Sequence, residues 1–143
     1  MEKEYIELTD LSALLKEGIE DMFPGLVWVR AEISGLNRKQ NGHCYLDLSQ
    51  SGRGGVIAKV RGTIWATRWN YIDMYFRSIT GSSLDVGMEV LVRAQVNYHP
   101  VYGLSQPPGH SHQNTPDPGL NLLHALSGRH HIPYHRTLSA PGL

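Results

Sequence analysis

From Leu26 onward the apolar residues stop recurring every third or fourth position and fall on every second one. Val27, Val29, Ala31 and Ile33 alternate with Trp28, Arg30 and Glu32, the pattern of a strand with one buried face and one mixed polar and aromatic face. The period of two returns three more times. Cys44, Leu46 and Leu48 oppose His43, Tyr45 and Asp47, directly after the turn-forming pair Asn41-Gly42. Val56, Ala58, Val60, Gly62 and Ile64 oppose Ile57, Lys59, Arg61, Thr63 and Trp65. Val90, Val92, Ala94 and Val96 oppose Leu91, Arg93, Gln95 and Asn97. Four such segments make the chain mainly β.

Two stretches carry the helical period instead. Leu11, Leu14, Leu15, Ile19, Met22 and Phe23 form one stripe, with Thr9 or Asp10 as the cap and Phe23-Pro24-Gly25 as the stop. Glu17, Glu20 and Asp21 then occupy its solvated side. Over residues 66–80, Trp69, Ile72, Tyr75 or Phe76, and Ile79 recur at helical spacing, and Thr80-Gly81-Ser82-Ser83 closes the segment. Ser34 to Asn41 reads as a turn-rich basic link holding Arg38 and Lys39, and Ser49 to Gly55 as a Gly/Ser loop. After Pro100, Val101-Tyr102-Gly103-Leu104-Ser105 reads as the start of a fifth strand.

The expected order is helix, three strands, helix, strand and a stub of a fifth. Three strands, a helix and two strands is the order of the five-stranded Greek-key barrel called the OB-fold, here with an extra N-terminal helix and a helix between strands three and four. Residues 1–105 make up this domain. Residues 106–143 hold six of the eight prolines and six of the eight histidines without a sustained period, and read as an irregular tail.

Composition narrows the class. A chain of 143 residues is one domain by length, and no run approaches the ~18 apolar residues of a membrane helix. The acidic start, Met1-Glu2-Lys3-Glu4, is unlike a signal peptide, and one cysteine makes no internal disulfide, so the expected location is the cytoplasm. The net charge of zero hides an asymmetry. Residues 1–25 carry seven acids against Lys3 and Lys16, whereas residues 26–105 carry nine Lys/Arg against five acids. A basic body behind an acidic leader favours a polyanion-facing surface.

Several collinear pieces resemble a known family. They are Leu11-Ser12 and Leu14 leading to Phe23-Pro24, then Val27-Trp28-Val29 with Glu32-Ile33-Ser34 and Leu36, and Gly42-His43 with Tyr45 and Leu48. Ala58-Lys59, Thr63-Ile64-Trp65, Gly87-Met88-Glu89-Val90-Leu91-Val92 and Tyr102-Gly103-Leu104-Ser105 continue the series. Across about residues 8–105 the chain resembles the N-terminal OB-fold domain of the exodeoxyribonuclease VII large subunit. The resemblance implies binding of single-stranded DNA, ahead of a separate catalytic domain and a helical region that recruits small subunits, in an assembly that cuts single-stranded DNA into oligonucleotides. Neither the catalytic domain nor the recruiting region has a counterpart in these residues, so no catalytic residue carries over. The resemblance breaks at Gln106-Pro107-Pro108, where the family pattern would continue a fifth strand. A shifted reading frame near residue 105 and a divergent tail are both consistent with that break. A barrel lacking its fifth strand would expose edges for pairing with a second copy.

Single-stranded nucleic acid is held by cations on its phosphates and flat side chains under its bases. The candidate binding residues are therefore Trp28, Arg30, Tyr45, Lys59, Arg61, Trp65 and Arg93 on the outward registers, with Arg38 and Lys39 in the first loop. Trp69 belongs to the core stripe. The alternative is an OB-like protein-interaction module on which the basic face is incidental.

Enzymatic and metal chemistry fit poorly. His43 and Cys44 are adjacent on a strand and point to opposite faces, so they form no nucleophile–base pair. Ser51-Gly52-Arg53-Gly54-Gly55 lacks the Lys-Ser/Thr ending of a phosphate loop. His110, His112, His130, His131 and His135 have ligand-like spacing, but no cysteine or acid cluster completes a shell. No cofactor is expected in this chain.

Overall fold

The computed structural model describes residues 4–104 and 118–128. In chain order the elements are α1 (Leu8–Met22), β1 (Val27–Arg38), β2 (Cys44–Gly52), β3 (Gly55–Ile64), α2 (Ala66–Thr80), β4 (Glu89–Asn97) and β5 (Gly119–Ser127). The strands close a barrel in the order β1-β2-β3-β5-β4. This is the OB-fold arrangement, mainly β, with one helix in front and one between β3 and β4.

β1 makes two sides of the barrel. Its first half, Val27 to Glu32, pairs antiparallel with β4, and its second half, Glu32 to Arg38, pairs with β2. A register shift between Ile33 and Gly35 marks the bend, the usual work of a bulge. The stretch from Ser34 to Arg38, read as a basic link, is therefore strand, and its ladder partners on β2 are what hold it extended. Likewise β2 and β3 consume most of the expected Gly/Ser loop and leave Arg53-Gly54 between them.

The described part of the Val101–Ser105 stretch, up to Leu104, is not the fifth strand. Tyr98 to Leu104 turns back on itself, with His99 and Gly103 exchanging backbone hydrogen bonds of 2.8 Å. β5 comes from Gly119–Ser127, inside the segment read as an irregular tail. It lies antiparallel to β4 over most of its length and parallel to β3 at Gly62–Leu120 and Thr63–Asn121. Leu120, Leu122 and Ala125 point inward and are buried. The open edge on which self-association was expected is thus occupied by β5. The reading of residues 106–117 and 129–143 lies outside the described residues.

Gly119 is where β5 starts, at φ 102°, and a Cβ there would run into the carbonyl oxygens of Arg61 and Leu104. Only glycine allows β3 and the incoming strand to approach so closely.

The core is built from the inward registers. Ile33, Cys44, Leu46, Leu48, Ile64, Val90, Val92, Ala94, Leu120, Leu122 and Ala125 line the barrel, and Trp69, Ile72 and Phe76 of α2 plug one end. Each fully buried aliphatic or aromatic side chain contributes about 1.5–3 kcal/mol relative to exposure. Phe76 takes the stripe position that Tyr75 competed for, with 2% of its surface exposed. α2 ends at Gly81, whose φ of 82° and N–H to the Arg77 carbonyl (2.8 Å) make a left-handed cap.

Elsewhere the outer structure departs from the sequence pattern. Val56, 60% exposed, and Ala58 lie on the inward register yet face solvent, because β5 meets β3 only at its far end and the β2–β3 hairpin projects beyond the barrel. Thr63 and Leu91 sit on outward registers yet are buried. α1 begins after Glu7 rather than after Thr9 or Asp10, and Glu7 makes no side-chain cap. α1 packs on β4, but none of its residues is buried and its stripe leaves Leu11, Leu14, Leu15 and Met22 exposed. Among the described residues no helix is long and apolar enough to cross a membrane.

Candidate nucleic-acid interface

The outward face of β2 and β3 gathers the first group of candidate residues. Tyr45 stands opposite Thr63, Asp47 opposite Arg61, and Ser49 opposite Lys59, so these side chains share one surface. The Arg61 guanidinium lies 5.9 Å from the Tyr45 ring centroid, and its Nη2 is 3.7 Å from Asp47 Oδ1. Lys59 is exposed and makes no ion pair among the described residues. At the rim, Asn37 of β1 pairs with Tyr45, which brings the exposed Arg38 and Lys39 alongside. Arg38 extends its guanidinium over the Trp69 ring at 4.6 Å and so links the end of β1 to α2.

Trp65 is tied into the framework. Its indole N–H donates to Asn121 Oδ1 at 2.8 Å, across the junction of β3 and β5. Its ring meets His43 edge-on at 4.8 Å, and His43 Nδ1 accepts the backbone N–H of Ala66 at 2.9 Å. His43 thus satisfies a backbone donor at the start of α2, which has no side-chain cap from its own N-cap residue.

Trp28, Arg30 and Arg93 do not join the β2–β3 face. They lie on the first half of β1 and on β4, with Trp28 opposite Arg93 and the guanidinium 6.0 Å from the indole. Arg30 Nε is 3.4 Å from Glu89 Oε1, in a cleft of about 290 Å³ whose walls also carry Glu32. Two carboxylates beside one guanidinium make that cleft a poor seat for phosphate. The nine sequence candidates therefore divide between two sides of the barrel.

Sequence reasoning missed three residues that the fold brings to Trp28. His124 of β5 lies 4.5 Å from the Tyr75 ring and 6.0 Å from both Tyr71 and Trp28. His124 was hidden in the stretch read as irregular. The tyrosines carried a legible signal, since an i, i+4 pair off the apolar stripe of a helix shares a second face. Burial, and then the Arg93 charge, hold the His124 imidazole below its ordinary value of 6.5.

Cys44 and His43 make no dyad. Cys44 is 0% exposed, and burial pushes its thiol up to about 11 against a small opposing pull from Arg38. Among the described residues no group of three or more His, Cys, Asp or Glu could hold a metal ion, and the five histidines with ligand-like spacing lie outside them.

The family of OB-fold nucleic acid binding domains matches residues 6–106, from before α1 to the turn after β4. The exodeoxyribonuclease 7 large subunit of Deinococcus radiodurans is 38% identical over 109 residues, covering 72% of this chain and 26% of that protein. The exodeoxyribonuclease 7 large subunit of Thioalkalivibrio sulfidiphilus is 33% identical over 98 residues, covering 68% of this chain and 19% of that protein. The chain thus spans about a quarter or less of the length of these relatives. β5 lies beyond the matched segment.

Proposed function

The chain belongs to the family of OB-fold nucleic acid binding domains, and on that premise we propose that it binds single-stranded DNA across the outward face of β2 and β3. The observation that carries this reading is the grouping of Tyr45, Arg61 and Lys59 on one surface, with Arg38 and Lys39 at its rim. A tyrosine ring supplies a flat partner for a base, and the cations beside it neutralise phosphates. The name exodeoxyribonuclease, borne by both relatives, supports DNA as the polymer. The relatives also support a place in a larger nuclease assembly, with the domain presenting the strand and the chemistry carried outside these residues. A cytoplasmic location agrees with that role.

Contacts of this kind are modest one by one. A stacked base contributes about 1–3 kcal/mol, and phosphate contacts weaken as salt rises. Binding is therefore expected to be sequence-tolerant and salt-dependent. The test is a salt titration of binding to a labelled oligo-dT. Lys59→Ala should lower affinity and flatten the slope of log affinity against log salt by about 0.7, the value of one phosphate contact on a single strand. Arg61→Ala should lower both affinity and slope. A variant with an unchanged slope takes that residue off the phosphate track, and no binding by the wild type at low salt rejects the function.

A further inference from the structure

Away from the β2–β3 face, rings and cations meet a second time, where β1, β4, β5 and α2 converge. His124 stands between Tyr75, Tyr71 and Trp28, and its ladder partner Arg93 on β4 lies 6.0 Å from the indole. Arg68 lies three residues before Tyr71, on the same face of α2.

Core packing does not account for this cluster. Trp69 and Phe76, on another stripe of the same helix, already supply the aromatic plug, whereas Tyr71 is 56% and Tyr75 41% exposed. Arg93 and Arg68 make no ion pair among the described residues, while Arg30, Arg61 and Arg77 each sit against a carboxylate. Exposed rings flanked by unneutralised guanidinium groups are the two components of a surface for unpaired bases and their phosphates.

The two surfaces are also joined. Trp65, at the end of β3, is hydrogen-bonded to Asn121 of β5. Three residues later on β5 comes His124, and three residues after Trp65 comes Arg68. A half-buried ring therefore stands where the β2–β3 face meets the strand and helix that carry the second cluster.

The geometry points to a second stacking platform, built on Tyr71, Tyr75 and Trp28, which takes bases of the same single strand after it has crossed the β3–β5 junction. This rests on the proposed binding of single-stranded DNA and extends its path around the barrel. A short oligonucleotide fills the first face, and a longer one reaches the platform.

The test uses the full chain and labelled oligo-dT of two lengths, about 4 and about 16 nucleotides, the span of site sizes known for one such barrel. The double variant Tyr71→Ala/Tyr75→Ala removes two exposed rings and leaves the core untouched. It should weaken the long oligonucleotide at least fivefold and leave the short one unchanged. Tyr71→Phe/Tyr75→Phe, which keeps the rings, should restore wild-type affinity. Arg61→Ala should weaken both lengths. Equal loss at both lengths in the alanine variant, or no loss at either while Arg61→Ala still weakens binding, overturns the platform and leaves the first face standing. Failure of the wild type to bind either length overturns the underlying function, and the platform with it.

Discussion

Cys44 shows how much a single residue's register decides. The sequence places it beside a histidine, yet alternation sends it inward to full burial and sends His43 to cap the start of α2. The thiol is thus a small apolar filler. Cys44→Ser should lower stability by about 1–3 kcal/mol in urea unfolding, because the hydroxyl would be left buried without a partner. A thiol-labelling reagent should react with the native protein only on the timescale of unfolding. Gly119 is the opposite case, a residue that mattered and gave no sign of it. Its role depends on Arg61 and Leu104, which are distant in sequence, so nothing local marks it. Gly119→Ala combines a strained backbone at positive φ with a clash against two carbonyls, and should destabilise by more than about 1 kcal/mol. At this scale inward and outward assignments were readable wherever both strand neighbours exist. They failed at Val56 and Ala58, where the barrel wall has ended, and at Thr63 and Leu91, where the fold covers an outward position.

Among elements, the strands within the family match were legible and β5 was not. The apolar residues of β1, β2 and β4 alternate in sequence because one face meets the core along most of each strand, although the fold also covers Leu91 and Ser49. In β5 a register shift opposite Arg93 and Ala94 puts Leu123 between two inward positions and breaks the period. Its leucines and alanine also lack the β-branched bias that marks a strand. Leu122, 1% exposed and packed in the core, should cost about 2–5 kcal/mol when replaced by alanine if β5 closes the barrel as described. Loss near zero would mean that the strand is dispensable. α1 is the reverse, legible as a helix but misleading as a core element. Its period is strong, yet the helix touches the barrel only lightly through β4. Few buried contacts mean a low opening free energy, so amides of α1 should exchange with deuterium far faster than those of β1 and β4.

For the whole molecule, one half-buried and one buried titrating group bound the pH range of full stability. His124 has a folded pKa below its ordinary 6.5, so the unfolded chain binds its proton more readily as pH falls. Its contribution is complete above about 6.5 and is lost as pH drops through that value toward the folded one. Cys44 works the other way. Its contribution is complete below its ordinary 9.0 and is lost as pH rises toward about 11. Urea midpoints should therefore be flat between these limits and fall on either side. His124→Asn should shallow the acid limb, and Cys44→Ala the alkaline one. The fold class and the β2–β3 half of the candidate interface could be read from alternation and charge together. The cluster around His124 could not, because it forms only when the first half of β1, the last strand and a helix come together.

The closing strand has a consequence for how the protein is made. β5 is the last of the five barrel strands to leave the ribosome, and it alone bridges β3 and β4. Until Ser127 has been synthesised and emerged, the first four strands present two unpaired borders, one on β3 and one on β4. At a synthesis rate of about 5–20 residues per second, the span from the end of β4 to the end of β5 keeps those borders open for a few seconds on every nascent chain. Crowding of ribosomes on one message, rather than the concentration of the finished protein, then sets the risk of strand exchange between neighbouring chains.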